Sequence, residues 1–307
     1  MKAGLVMIIL GVIALVVGFI AFSAPPAFAW GPVTHIALGA QVLASVSTLE
    51  QPLQAILLAM PDAFLYGSLA PDIVQGRRFQ SRLRRHSHNW STGFGLLSAA
   101  RGSEEQAFAL GYLAHLGADV LAHNFYLPTR WIGRFNSAIA SHILSEARFD
   151  SMQDASHRET LVKLMAIDFS ALDAKLSRQI DSPLLPFRAQ KRIFGGGLRR
   201  IREWNRVILA IGRVKAADRQ DVEVFCSASC SAIDGLMRDG DEAPACRFDP
   251  MGQRALRNAQ RARRTLQRLA RMGPETKRAA RQLAHSTVEE LRSHMSQVPF
   301  GGPPKPP

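Results

Sequence analysis

Apolar residues recur at helical intervals of three and four along most of the chain, while glycine and proline separate the helical stretches. The pattern predicts helices over residues 35–46, 51–60 and 133–149. The best strand-like run is short and covers residues 222–225. We therefore predict an all-α fold, built as a bundle of many helices.

The segment 111–125, GYLAHLGADVLAHNF, places three polar side chains on an otherwise apolar helix. His115, Asp119 and His123 follow at intervals of four residues, so they share one helix face over about 12 Å. Burying such groups costs several kcal/mol unless each has a partner. Metal coordination would supply partners, because side chains one turn apart can converge on one ion or on two adjacent ions. A polar seam of ordinary hydrogen bonds is the alternative.

Residues 1–29 have the features of a secretion signal. Lys2 supplies a positive charge, residues 5–22 are apolar, and an Ala-Phe-Ala sequence ends at Ala29, as signal peptidase requires. Cleavage there would make Trp30 the first residue of a secreted or periplasmic protein. The apolar stretch is also long enough to span a bilayer, so an uncleaved leader would anchor the protein in a membrane.

The chain is strongly basic, with a formal net charge of +13. This favours anionic partners such as a phospholipid surface, phosphodiesters or nucleic acid, and it indicates nothing about the fold or the oligomeric state. Basic residues are concentrated in the second half of the chain. We therefore predict a catalytic core over 30–182, a basic helical region over 183–298 that completes or extends the bundle, and a disordered tail over 299–307.

One predicted helix of the basic region, residues 252–272, has two distinct faces. Its arginine face consists of Arg254, Arg257, Arg261, Arg264, Arg268 and Arg271. Alanine and leucine follow the matching rhythm, so the apolar face should pack against the protein. The arginine face is either solvated or salt-bridged, or it contacts anionic lipid or another polyanion.

The first half of the chain contains a large set of nitrogen and oxygen ligands for metal ions. The set consists of the amine of Trp30 released by cleavage, His35, Asp72, His86 or His88, His115, Asp119, His123, His142 and Glu146. Asp72 is expected at the exposed tip of a turn over residues 67–73. Such a set suffices for three zinc ions with three protein ligands each, leaving positions open for water as catalytic sites do.

These motifs resemble the zinc-dependent phospholipase C superfamily, which also includes zinc-dependent single-strand nucleases. The resemblance rests on WGPVTH at 30–35, LAPDI at 69–73, HSHNWSTGF at 86–94, HLGADVLAH at 115–123, and His142 with Glu146. It covers about residues 30–150 and implies a multi-helix phospholipase C/nuclease-like bundle. The spacing in HLGADVLAH looks most like the catalytic domain of glycosylphosphatidylinositol phospholipase D and its bacterial relatives.

The resemblance also implies roles for the ligands of two zinc ions. The amine and carbonyl of Trp30, together with His35, would bind the first ion, and Asp119 would bridge it to the second. Asp72, His115 and one histidine of the HSH sequence would complete the second ion.

The remaining ligands would hold a third zinc ion. By resemblance these are His123, His142 and Glu146. In the HSH sequence we favour His88, which lies beside Asn-Trp, and keep His86 as the alternative ligand.

The predicted function is an exported zinc-dependent phosphodiester hydrolase, most similar to phospholipase C. Zinc lowers the pKa of a bound water to about 7, and two ions about 3.5–4 Å apart can grip a phosphodiester during in-line attack. Asp72 is the predicted catalytic residue, which orients or deprotonates the attacking water. The alternatives are a single-strand nuclease and a non-catalytic, membrane-associated metal-binding protein.

Overall fold

The computed structural model describes residues 30–74, 86–137, 142–180, 185–199 and 216–300 of the chain. Every regular element in these ranges is helical, which confirms the all-α fold. In chain order the α-helices are α1 (Pro32–Ala44), α2 (Gln51–Ala59), α3 (Pro61–Gly67), α4 (Ala70–Ile73), α5 (Trp90–Ser98), α6 (Ser103–Leu121), α7 (Leu127–Gly133), α8 (His142–Ser151), α9 (Ala155–Leu164), α10 (Ser170–Gln179), α11 (Phe187–Arg199), α12 (Ala216–Asp239), α13 (Gln253–Arg271) and α14 (Pro274–Gln297). A π-helical turn, Ala122–Tyr126, joins α6 to α7.

Helix α6 lies at the centre of the bundle, and its residues 107–121 are all buried. Helices α3, α5 and α12 pack against it. The closest approach is to α3, where a Cβ on Gly111 would overlap the carbonyl oxygen of Phe64, and one on Gly67 would overlap that of Phe108. The two glycines therefore allow the backbones of α3 and α6 to touch, which brings α4 close to the polar face of α6.

The basic region contributes to the same core. Helix α12 packs against α6 and α1, and its Phe225 and Ile233 are 1% exposed. Phe300 is also buried and contacts the rings of Phe125 and Phe248. The prediction that a disordered tail begins at residue 299 is therefore wrong at Phe300, because this ring completes an aromatic cluster.

A second, smaller core lies between α7, α13 and α14. Its buried residues are Ile132, Phe135, Ala259, Leu266, Ala280 and Ala284. The apolar face of α13 packs here, as predicted, and all six side chains of its arginine face are exposed. The sequence pattern therefore predicted this helix and its two faces correctly.

Two other predictions of local structure are wrong. Residues 222–225 lie within α12, since packing of a helix against the core overrides the strand preference of a short β-branched run. The helix predicted over 133–149 is interrupted, because α7 ends at Gly133 and α8 begins at His142.

No helix in the described ranges is both long and apolar enough to cross a membrane. The predicted leader, residues 1–29, lies outside these ranges. The secretion signal therefore stays a prediction.

Candidate metal centre

Five buried side chains from separate parts of the chain converge beside α6. They are His35 of α1, Asp72 of α4, His88 just before α5, and His115 and Asp119 of α6. Their ligand atoms form two overlapping groups, His35–His115–Asp119 and Asp72–His88–His115. Within each group all ligand atoms lie within 4.8 Å of one another. Imidazole nitrogens and carboxylate oxygens at this spacing can hold metal ions.

The Asp119 carboxylate lies between the imidazoles. Its Oδ1 is 3.4 Å from Nε2 of His35, and its Oδ2 is 3.3 Å from Nε2 of His88 and 3.4 Å from Nε2 of His115. Neither Asp119 oxygen, and neither ring nitrogen of His35, makes a hydrogen bond with another described residue. Since a buried polar atom without a hydrogen bond costs about 1–3 kcal/mol, these atoms fit a bound cation.

Backbone carbonyls orient two histidines. Nδ1 of His115 lies 2.9 Å from the carbonyl oxygen of Ser68, and Nδ1 of His123 lies 2.6 Å from that of Pro250. A carbonyl only accepts, so in the neutral ring each Nδ1 carries the proton and Nε2 keeps its lone pair. A histidine that binds a metal ion through one ring nitrogen typically donates a hydrogen bond of this kind from the other.

The cluster is electrostatically asymmetric. Burial, and then the neighbouring His115, lower the pKa of His35. Burial also lowers the pKa of His115, but the carboxylates of Asp119 and Asp72 outweigh it and raise the pKa above its ordinary value. For Asp119, burial raises the pKa, while the imidazoles of His115, His35 and His123 outweigh burial and hold it well below its usual range. Asp119 is therefore an anion at neutral pH.

Asp72 lies in a buried helix, and the prediction that it is exposed at the tip of a turn is wrong. It is 1% exposed and belongs to α4, which has Pro71 in its first turn. Proline before Asp is compatible with a turn, but it also fits the start of a helix. Because α4 packs against α6, Oδ1 of Asp72 lies 3.9 Å from Nε2 of His115 on α6, and it is also 3.4 Å from Nε2 of His88.

A buried carboxylate holds the start of α1, the helix that carries His35. Asp150 of α8 accepts hydrogen bonds from the backbone nitrogens of Val33 (3.4 Å) and Thr34 (2.7 Å) and from the Thr34 hydroxyl (2.9 Å). Such bonds satisfy N–H groups that a helix terminus leaves without partners, and the negative charge suits the helix dipole. Sequence analysis missed Asp150, because no local spacing connects it to α1.

Trp30 is anchored beside the same helix. Its side chain is fully buried, and its indole Nε1 donates a hydrogen bond of 3.0 Å to the carbonyl oxygen of Ala118. Its ring lies 4.0 Å, centroid to centroid, from that of Phe149. Trp30, which cleavage would make the N-terminal residue, is thus held next to Ala118, the residue before Asp119.

A family model described as zinc dependent phospholipase C matches residues 34–184. This match supports the assignment of the segment to the zinc-dependent phospholipase C superfamily. No curated protein and no solved structure matches the chain. The family and the two His/Asp groups together support a zinc-dependent hydrolase. The closer likeness to glycosylphosphatidylinositol phospholipase D is not confirmed and stays a prediction.

Other predicted metal ligands lie outside the two groups. His86 is buried, and its Nδ1 accepts a hydrogen bond of 3.0 Å from the backbone nitrogen of His88. Glu146 is buried on α8, and His123 lies on the π-helical turn. The side chain of His142 is outside the described part of the chain. A third metal ion held by these residues therefore stays a prediction.

The segment before α13 closes over His123. Gly252 has a positive φ of +54°, and a Cβ there would lie 2.5 Å from the Cβ of His123. The carbonyl of Pro250, two residues earlier, accepts the His123 hydrogen bond. Only glycine fits this position without strain or overlap, so α13 begins in direct contact with a predicted metal ligand.

Replacing Asp150 by asparagine should change how stability depends on pH. Burial raises the pKa of Asp150 to about 6, despite the hydrogen bonds from Thr34 and Val33 that lower it. Between about pH 4 and pH 6 the folded protein keeps a proton that the unfolded chain releases. The free energy of unfolding of the wild type should therefore fall by about 3 kcal/mol as the pH rises through this window.

The asparagine variant lacks this proton. Chemical denaturation of both proteins should show that the free energy of unfolding of the variant, relative to that of the wild type, rises by about 3 kcal/mol between about pH 4 and pH 6. A stability difference that does not vary with pH would contradict the raised pKa.

Proposed function

We propose that the protein is an exported zinc-dependent phosphodiester hydrolase, most similar to phospholipase C, that acts on phospholipids. The single observation that supports this most is the Asp119 carboxylate, whose two oxygens face imidazoles that belong to two overlapping ligand groups. A carboxylate in this position suits two adjacent ions, which can clamp both sides of a phosphodiester. The family match favours phospholipid as the substrate class.

Three zinc ions are part of the proposal. The ligands of the first would be Trp30, through its free amine, with His35 and Asp119. The ligands of the second would be Asp72, His88, His115 and Asp119. The ligands of the third would be His123, His142 and Glu146. The two ligand groups around Asp119 support the first two ions, and the hydrogen bond from His123 to Pro250 supports the third.

The chemistry divides between the metal and the protein. Bound zinc supplies a Lewis acid and lowers the pKa of a water molecule to about 7. Asp72 is the proposed catalytic residue, which orients the attacking water and accepts its proton on a carboxylate oxygen while the water oxygen bonds to phosphorus. The bond from phosphorus to the diacylglycerol oxygen breaks, and that oxygen leaves as an alcohol after taking a proton from water. The burial of Asp72 on α4 favours this role, because a helix fixes the carboxylate and keeps bulk solvent away from it. Asp119 and the histidines hold their positions throughout.

Export belongs to the same proposal, because the amine of Trp30 is a peptide nitrogen until the chain is cleaved after Ala29. The indole of Trp30 is hydrogen-bonded to Ala118, which would keep a new N-terminus beside Asp119. A secreted or periplasmic location follows. An uncleaved leader would instead give a membrane-anchored protein that lacks this ligand.

The test uses protein purified after secretion from a bacterial host. We expect Trp30 as the N-terminal residue, about three zinc ions per chain and release of phosphocholine from dissolved short-chain phosphatidylcholine. Chelation should stop hydrolysis, and added zinc should restore it. Single-stranded DNA is the second substrate in the assay.

The other outcomes are distinct. Release of choline would indicate D-type cleavage at the same centre. Nucleotides released from DNA, without headgroup release, would support the single-strand nuclease, which the net charge of +13 favours. Zinc binding without hydrolysis of either substrate would support the non-catalytic alternative. A protein that binds no zinc would overturn the proposal.

A further inference from the structure

We propose that the arginine face of α13 docks the protein on an anionic phospholipid surface. The face consists of Arg254, Arg257, Arg261, Arg264, Arg268 and Arg271. It lies beyond residues 34–184, the segment that the phospholipase C family match covers. The choice of lipid as partner rests on the proposed function, but the docking itself does not require hydrolysis.

The positive charge of this face is not balanced within the described part of the chain. All six side chains are exposed, none forms an ion pair with a described residue, and α13 itself contains no Asp or Glu. Like charges three and four residues apart repel, so the face weakens the helix that carries it. By contrast, the buried Arg130 elsewhere in the protein forms ion pairs with Asp218 and Asp221. The uncompensated face therefore points to an anionic partner outside the chain.

The shape of the face fits a flat surface. Helix α13 has 19 residues, and at 1.5 Å per residue its first and last arginines lie about 25 Å apart along the axis. The arginines form one stripe, and the opposite face is fixed against α7 and α14 through buried Ala259 and Leu266. A rigid, nearly straight row of guanidinium groups can meet a planar array of lipid headgroups along its whole length.

The face is also tied to the candidate metal centre. Helix α13 begins directly after Gly252, which contacts His123, and the carbonyl of Pro250 accepts the His123 hydrogen bond. Trp90 and Asn124 donate hydrogen bonds of 2.9 Å to backbone carbonyls of the same segment. A surface bound along α13 would thus hold the centre at a set position relative to its substrate.

Lipid suits the face better than single-stranded nucleic acid does. Proteins that bind single strands combine positive charge with aromatic side chains on which the bases stack. Helix α13 has no aromatic residue, and the solvent side between its arginines carries amide and hydroxyl groups. An electrostatic contact with lipid headgroups needs no stacking, and each arginine near an anionic membrane strengthens binding about fivefold.

The test compares three proteins, each purified after secretion and cleavage before Trp30, for sedimentation with vesicles, either of phosphatidylcholine alone or with phosphatidylserine added. The first is the wild type, and the second carries Arg257→Gln, Arg261→Gln and Arg264→Gln. The third carries Lys163→Gln, Arg219→Gln and Arg247→Gln, which removes the same charge from exposed sites elsewhere. All three proteins have the same N-terminus, so differences between them report on the substituted residues.

We expect the wild type and the control variant to bind phosphatidylserine vesicles in a salt-dependent way. The arginine-face variant should bind them about a hundredfold more weakly. Equal binding by both variants would overturn the proposal, and so would equal binding of the wild type to the two kinds of vesicle. If the arginine-face variant lost binding to single-stranded DNA but kept its binding to vesicles, the result would overturn the proposal in favour of nucleic acid as the partner.

Hydrolysis of dissolved short-chain phosphatidylcholine separates this proposal from the proposed function. All three proteins should hydrolyse it equally, because no surface is involved. If none does, but the difference in vesicle binding persists, the proposed function fails and the docking surface stands. If all three proteins hydrolyse the substrate, but their binding to vesicles does not differ, the docking surface fails and the proposed function stands.

Discussion

Replacing Asp119 by asparagine is expected to remove at least one bound zinc ion and to lower phospholipid hydrolysis by about a thousandfold or more. Asp119 is a member of the group with His35 and His115, and it also contacts the group of Asp72, His88 and His115. Its Oδ2 is 3.3 Å from Nε2 of His88 and 3.4 Å from Nε2 of His115. Asparagine keeps the shape, but it loses the negative charge and one of the two acceptor oxygens. Zinc content by mass spectrometry and the rate of headgroup release measure the two effects.

A matched control is available in the same bundle. Asp173 of α10 is also a buried carboxylate, which accepts hydrogen bonds from the Tyr66 hydroxyl and from Nζ of Lys191 at 2.8 Å. It lies outside both ligand groups. Asp173→Asn should therefore retain the zinc content of the wild type, even if it lowers stability. An Asp119→Asn protein with full zinc content and full activity would show that the cluster is not the active centre.

Replacing Gly111 by alanine is expected to destabilise the protein by about 3 kcal/mol or more, although alanine is the better helix former. A Cβ at this position would overlap the carbonyl oxygen of Phe64 on α3. The neighbour is backbone and cannot move aside alone, so α3 and α6 would have to separate within a close-packed core. Chemical denaturation monitored by circular dichroism measures the loss.

The same substitution at Gly196 is the control. Gly196 lies within α11, and a Cβ there would meet no atom within 4 Å. Alanine should therefore stabilise the protein by up to about 1 kcal/mol, through the lower entropy of the unfolded chain and the higher helix propensity. If both variants changed stability in the same direction and by the same amount, the contact between α3 and α6 would not be what requires glycine at 111.

Helices whose apolar period is regular were predicted well from the sequence. The predictions over 35–46, 51–60 and 252–272 correspond to α1, α2 and α13, with ends that differ by at most a few residues. The errors arose where local preference and burial disagree. Residues 222–225 favour a strand locally, yet they belong to α12, whose Phe225 is in the core. A short window contains no information about such packing.

The candidate site was predictable only in part from spacing. His115 and Asp119 share a face of α6 because they are one turn apart, and this follows from the helix alone. That His35, Asp72 and His88 would join them was expected from the resemblance to a known family. The exposure predicted for Asp72 was wrong, because a turn motif does not reveal which helix packs over it.

By itself, the sequence determined the helical class, the one-turn spacing of the ligands on α6, and the two faces of α13. These features follow from the helical repeat and from the order of residues within single segments. The tertiary structure alone decided that Asp119 faces three imidazoles, that Asp150 holds the start of α1, and that Gly252 contacts His123. The physical reason is that these contacts join residues far apart in the chain, which meet only because glycine contacts and a shared apolar core fix how the helices pack.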